Sequence, residues 1–184
     1  DEISSEGCYK ILYDYMSTAI KKVNRIVLDD RYEFCLMEQD MARITFESSP
    51  QARSFYLLLL RYGAAGVSQK LFEQALGYLG GIPDGGPFSM EDFMSSLAED
   101  GSEVARLVYN AVVIYSAVSS KEASGRKFLG YIESMFRNRS SLKNYINKGF
   151  ADSGALADPE RYCVSFDSES KSYGIAADIA SFRV

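Results

Sequence analysis

The residue types that usually carry chemistry are thinly supplied in this chain, and the first of them is missing. There is no histidine among the 184 residues. Ser-His-Asp and Cys-His nucleophilic mechanisms are thereby excluded, because both need an imidazole to take the nucleophile's proton. The commonest zinc ligand is gone as well. Cys8, Cys35 and Cys163 supply three thiols, one short of an all-cysteine tetrahedral site. Neither GxxxxGK[ST] nor GxGxxG occurs. The glycine-rich run at 80–87 contains Pro83 and Pro87, which have no N–H to offer a phosphate, and Asp84, which repels one. It reads as a connector. No cofactor or metal is expected.

Ser-Lys chemistry needs only serine and lysine. SxxK occurs at Ser124/Lys127, Ser140/Lys143 and Ser168/Lys171. In a chain this rich in serine such matches arise by chance. Lys127 projects from the solvent face of its helix and Lys171 falls in a hairpin turn, where desolvation cannot lower a lysine's pKa. Carboxylates stand side by side at Asp29/Asp30, Glu91/Asp92 and Glu99/Asp100. Neighbours in sequence do not face each other on a helix, and no EF-hand pattern surrounds them. They read as solvated charge, with a carboxylate and divalent-metal enzyme as a second alternative.

The basic residues have more shape. From Lys121 to Lys148 there are seven basic and two acidic residues, a net of +5. The whole chain carries −5, so the remainder carries −5 − 5 = −10. On a helical wheel Arg126, Lys127, Gly130 and Arg137 share the face opposite Phe128, Ile132 and Met135, and Tyr131 lies at its edge. Arg139, Lys143 and Lys148 continue the series. Such a stripe can follow a phosphate backbone and stack a base. The plainer reading is a solvated face, with Glu133 pairing Arg137 at i,i+4 and the other cations near helix C-termini. A whole-chain pI near 4.9 lacks the footprint of a dedicated nucleic-acid binder. The uneven charge also suits head-to-tail contact between copies.

Tyrosine is the other unusual supply: thirteen, with no tryptophan. Its amphipathic ring favours interfaces. Tyr9 and Tyr13 are four apart, on the side of the first helix away from much of the Ile11/Leu12 face. They suggest a second contact surface, either a self-association seam or burial of both helix faces in one domain.

These residues must be positioned by a mainly α fold. We expect a compact bundle of six to seven helices with one or two β-hairpins. A first helix, capped by Ser4 and Ser5, runs through Ile11, Leu12, Tyr15, Ala19 and Val23 to Ile26 at spacings of three and four. Residues 31–47 alternate in two arms and read as a hairpin, with a helical stripe as the rival. Ser49-Pro50 opens a helix whose segment 55–62 is core. Gly63 and Gly66 make a turn, and Ser68 caps a helix through Leu79. A helix-turn-helix reading fails locally: Tyr62 is too bulky for the tight packing position, and Lys70 with Glu73 offers little to phosphates. Ser89 caps the next helix. Helix 101–118, apolar nearly all round, is expected at the centre. Helix 122–138 should turn Phe128, Leu129, Ile132, Met135 and Phe136 inward, and a short helix spans 141–148. Residues 151–160 look like a linker, and 162–177 alternates as a C-terminal hairpin. The organisation expected is a helical core over 1–150, with 151–184 as linker and hairpin packed on it, one structural domain overall.

The three scattered cysteines are no disulfide framework and suit a reducing, cytoplasmic compartment. Beginning at Asp1, the chain leaves earlier processing open. No apolar run approaches the ~20 residues of a membrane span. With every catalytic constellation weak, the expected function is a non-enzymatic protein–protein interaction or self-assembly module. Viral structural or accessory proteins and bacterial effector domains fit that description. The partner is then a protein or a second copy, with RNA or single-stranded nucleic acid through 121–148 as the alternative.

Overall fold

The computed structural model describes residues 25–28, 34–37 and 43–45 as backbone strands, and residues 49–152 and 158–176. The fold is mainly α. Among the described residues there are six helices, in order α1 Pro50–Tyr62, α2 Gln69–Gly80, α3 Met90–Asp100, α4 Glu103–Ser119, α5 Gly125–Arg137 and α6 Arg139–Asp152. Two small antiparallel sheets accompany them. One is β1 Arg25–Leu28, β2 Phe34–Met37 and β3 Arg43–Thr45, in that order. The other is β4 Val67–Ser68, β5 Val164–Asp167 and β6 Ser172–Ile175, ordered β4-β6-β5. No described helix is long and apolar enough to cross a membrane.

Serine starts four of the helices. Its Oγ accepts the N–H three residues on at Ser49 (Ala52, 3.1 Å), Ser68 (Leu71, 3.1 Å), Ser89 (Asp92, 3.2 Å) and Ser102 (Ala105, 3.1 Å). Each bond satisfies a helix N–H that has no partner within its own helix. Pro50 follows the first of these caps, where its missing N–H is harmless.

The most completely buried helix is α1, while the helix expected at the centre, α4, packs on α1, α2, α3 and α5 and leaves one face outward. Every residue from Ser54 to Leu60 is buried, with α4 packed against α1 on one flank and α6, α5 and β6 around it. Helix α4 buries Ala105, Leu107, Val108, Ala111, Val112, Tyr115 and Val118. It turns Arg106, Tyr109 and Val113 outward. Its composition hides this, since the outward stripe is itself largely apolar.

Helix α5 turns Phe128, Leu129, Ile132, Met135 and Phe136 inward, as its periodicity predicts. Helix α6 is longer than the expected 141–148. It continues because Leu142, Ile146 and Phe150 form one inward line, and Phe150 meets Tyr56 edge-on at 5.3 Å.

The C-terminal hairpin is present, in the register Val164↔Ile175 to Asp167↔Ser172. It also recruits β4, through Val67↔Tyr173 and Ser68↔Ser172. Tyr173 sits against Phe55, Phe72 and Phe166. Gly66 is explained by the same sheet: at φ +64° a Cβ there would come within 2.3 Å of the Tyr173 carbonyl oxygen. The glycine lets β6 cross close to the turn.

In the N-terminal region β2 pairs with β3 through Leu36↔Ile44, so the hairpin prevails over the helical stripe in 31–47. The helix expected from Ser4 to Ile26 lies outside the described residues up to position 24, and Ile26 is not helical. Arg25–Leu28 is a strand paired with β2, Ile26 facing Leu36. Ile26 and Val27 are β-branched, and a ready antiparallel partner outweighs the fit of Ile26 to a last helical turn. Tyr9 and Tyr13 lie outside the described residues.

Candidate interaction surfaces

The seven residues expected along the basic segment do not form one stripe. Arg126 is folded onto the protein, its side chain only 18% exposed. Its guanidinium donates to the carbonyls of Leu79 and Ile82, each at 3.4 Å, and to Glu133 at 2.8 Å. Asp84 lies 3.4 Å away. The cation therefore closes the C-terminal end of α2, where carbonyls without helical partners and the negative end of the helix dipole both favour it. Arg139, 15% exposed, donates to the Phe136 carbonyl at 2.9 Å and faces Glu73 and the Phe72 ring.

Tyr131 is engaged twice. Tyr115 stacks on it with ring centroids 5.6 Å apart, and the Lys121 ammonium sits 4.1 Å from its centroid. The hydrogen bond and charge of Lys121 pull the Tyr131 phenol below its ordinary pKa. A base stacking there would first have to displace Lys121. Arg137 is 66% exposed and 3.7 Å from Glu133. Lys127 is exposed, Lys143 half-buried, and Lys148 holds Asp152 at 3.0 Å. The structure thus brings Lys121, Lys127 and Tyr131 together, and separately gathers Arg126 and Arg137 around Glu133.

A different surface stands out on α4. Tyr109 (37% exposed) and Val113 (46%) project from successive turns. Arg106 precedes them on the same stripe and is exposed. The end of α1 adjoins it: burial pushes the Tyr62 phenol up, and Asn110, Arg106 and Arg61 pull it back. Arg61 and Arg106 are both exposed, and among the described residues neither joins an ion pair. Arg61, Arg106, Tyr109 and Val113 are not among the residues expected from the sequence. The available signal was an arginine followed by Tyr109 and Val113 at i+3 and i+7, on a helix whose other sides are more uniformly apolar.

The described residues give acid–base or nucleophilic chemistry little to work with. Glu91, Asp92, Glu99 and Asp100 are exposed, and no group of three or more Cys, Asp or Glu among the described residues is placed to hold a metal ion. Ser124 and Lys127 both face solvent, and so do Ser168 and Lys171. Ser140 Oγ is 3.2 Å from the Tyr173 hydroxyl. Burial, with Glu160 adding to it, pushes the Cys163 thiol up, which keeps it away from the reactive thiolate.

No protein-family model, curated protein or solved structure matches this chain.

Proposed function

We propose that this chain is a non-enzymatic protein–protein interaction module that engages its partner through the outward stripe of α4. One observation carries the reading: Tyr109 and Val113 stand exposed on consecutive turns, with Arg61 and Arg106 beside them. Tyrosine and arginine are the types that most often dominate interface energetics. Both side chains are already more than half covered, so covering what remains contributes on the order of 1 kcal/mol each, under half of the about 1.5–3 kcal/mol for burying a whole apolar side chain, and the two together form an anchor.

The test is a photo-crosslinking residue placed at position 109 in the chain's native cells, with position 145 as the control. Tyr145 is also exposed, at 52%, but lies on α6. A discrete protein adduct at 109 and none at 145 is the expected result. No adduct at 109 overturns the reading.

Nucleic-acid binding is the second reading, supported by the grouping of Lys121, Lys127 and Tyr131. The engagement of Arg126 and Arg139 inside the chain counts against it. Lys127→Glu with Arg137→Glu is the proper test, because both residues are exposed. Loss of single-stranded RNA binding in that variant would favour it, and an absence of binding in the parent chain would end it.

A further inference from the structure

Helices α3 and α4 pack on each other, joined through Gly101 and Ser102. Charge is laid out on them in an unusual way. From Met90 to Glu103 there are five acidic residues and no lysine or arginine. Glu91 and Asp92 occupy the first turn of α3, where exposed N–H groups favour negative charge. Glu99 and Asp100 occupy its last turn, the negative end of the helix, with no basic residue there to offset them. Asp100 is relieved by the Ser102 N–H, which donates to it at 3.0 Å. Glu99 joins no ion pair among the described residues. Glu99, at the carbonyl end of α3 with no basic residue in that turn, is left without such relief, the kind of departure from a local rule that marks a functional surface.

The compensating charges are present on the same molecule. Arg61 and Arg106 are exposed beside Tyr109 and Val113, without carboxylate partners among the described residues. We propose that the occupant of the α4 stripe is a second copy of this chain, whose Glu99 and Asp100 meet Arg61 and Arg106 while Tyr109 and Val113 are covered between them. The proposal rests on the reading of that stripe as an interaction face, and names what fills it. Glu99, Asp100, Arg106, Tyr109 and Val113 lie on two helices packed together, with Arg61 added by α1, and a contact in which each copy offers the same patch to the other is a two-fold dimer. Exposed ion pairs contribute little by themselves, so the apolar pair supplies the affinity and the charges set register and encounter rate.

The test is light scattering on the untagged chain, with two single reversals, Arg106→Glu and Glu99→Arg. Both sites are solvent-exposed, so folding is expected to survive, and circular dichroism melts check it. The parent should weigh twice 20.5 kDa, about 41 kDa. Each reversal alone should weaken the dimer about tenfold or more, a scale consistent with close interfacial charge pairs. Mixing the two variants should restore the dimer, because opposite charges then face each other in both contacts. A monomeric parent, a dimer indifferent to both reversals, or a mixture that stays monomeric each overturns the proposal. The adduct at position 109 separates the two claims. An adduct with a different protein leaves the interaction face standing and removes only the second copy, while no adduct removes both.

Discussion

The Tyr56 hydroxyl donates to the backbone carbonyl of Tyr162 at 2.9 Å, in the core of the molecule. That bond ties the enclosed helix α1 to the turn leading into β5, across 106 positions of sequence. Tyr56→Phe leaves the buried carbonyl without this donor. The expected cost is about 1–3 kcal/mol. It should appear as a lower urea midpoint with an unchanged slope, since the surface exposed on unfolding stays the same. An unmoved midpoint would show that the bond contributes nothing.

The same side chain sets a pH dependence. Burial, then Cys163 and Tyr162, push the Tyr56 phenol far above its ordinary range. In the unfolded chain it ionises near 10. The folded value is raised above the unfolded one, so this stabilisation is complete below about pH 10 and declines as pH rises beyond it. Tyr56→Phe should flatten the alkaline limb of a stability–pH profile. An equally steep limb in the variant would assign the dependence elsewhere.

Two glycines should respond in opposite directions. Gly66 combines φ +64° with a Cβ position 2.3 Å from the Tyr173 carbonyl oxygen. Gly66→Ala should cost at least about 2 kcal/mol, from the left-handed backbone and the contact together. Gly77, within α2, has nothing within 4 Å of its would-be Cβ. Gly77→Ala should stabilise by about 0.5–1 kcal/mol through helix propensity. Thermal melts of the two variants decide both.

Arg126 and Lys127 are neighbours in sequence with different work. Arg126→Gln should cost about 1–3 kcal/mol through lost charged hydrogen bonds. It should also speed amide exchange at Gly81 and Ile82, whose N–H groups bond Gly77 and Leu79 beside the guanidinium. Lys127→Gln should leave both unchanged. Reversing Arg126 is accordingly a poor probe of nucleic-acid binding, because it perturbs the fold first.

The parts legible in the sequence are those whose causes are local. Ser49, Ser68 and Ser89 announce helix starts because a cap needs only its own next three residues. The five inward residues of α5 follow from period alone, and the 164–175 hairpin from alternation. The two-residue strand β4 is too short to alternate, so only β6 reveals it. The enclosed position of α1 could not be separated from that of α4 by composition, since Tyr109 and Val113 are as apolar outside as they would be inside. Arg126 looked like a solvent-facing cation because its carbonyl partners are 44 and 47 residues away. Helical spacing places a side chain on a face. It does not say what another helix will bring to that face.

The most direct test of the interaction face is tyrosine footprinting by hydroxyl radicals, comparing the dilute purified chain with the chain in its native cells. Tyr109 and Tyr145 are both exposed on the isolated chain, so one reports and the other calibrates. Labelling of Tyr109 is expected to fall several-fold in cells relative to Tyr145. Equal labelling of the two in both settings would contradict it.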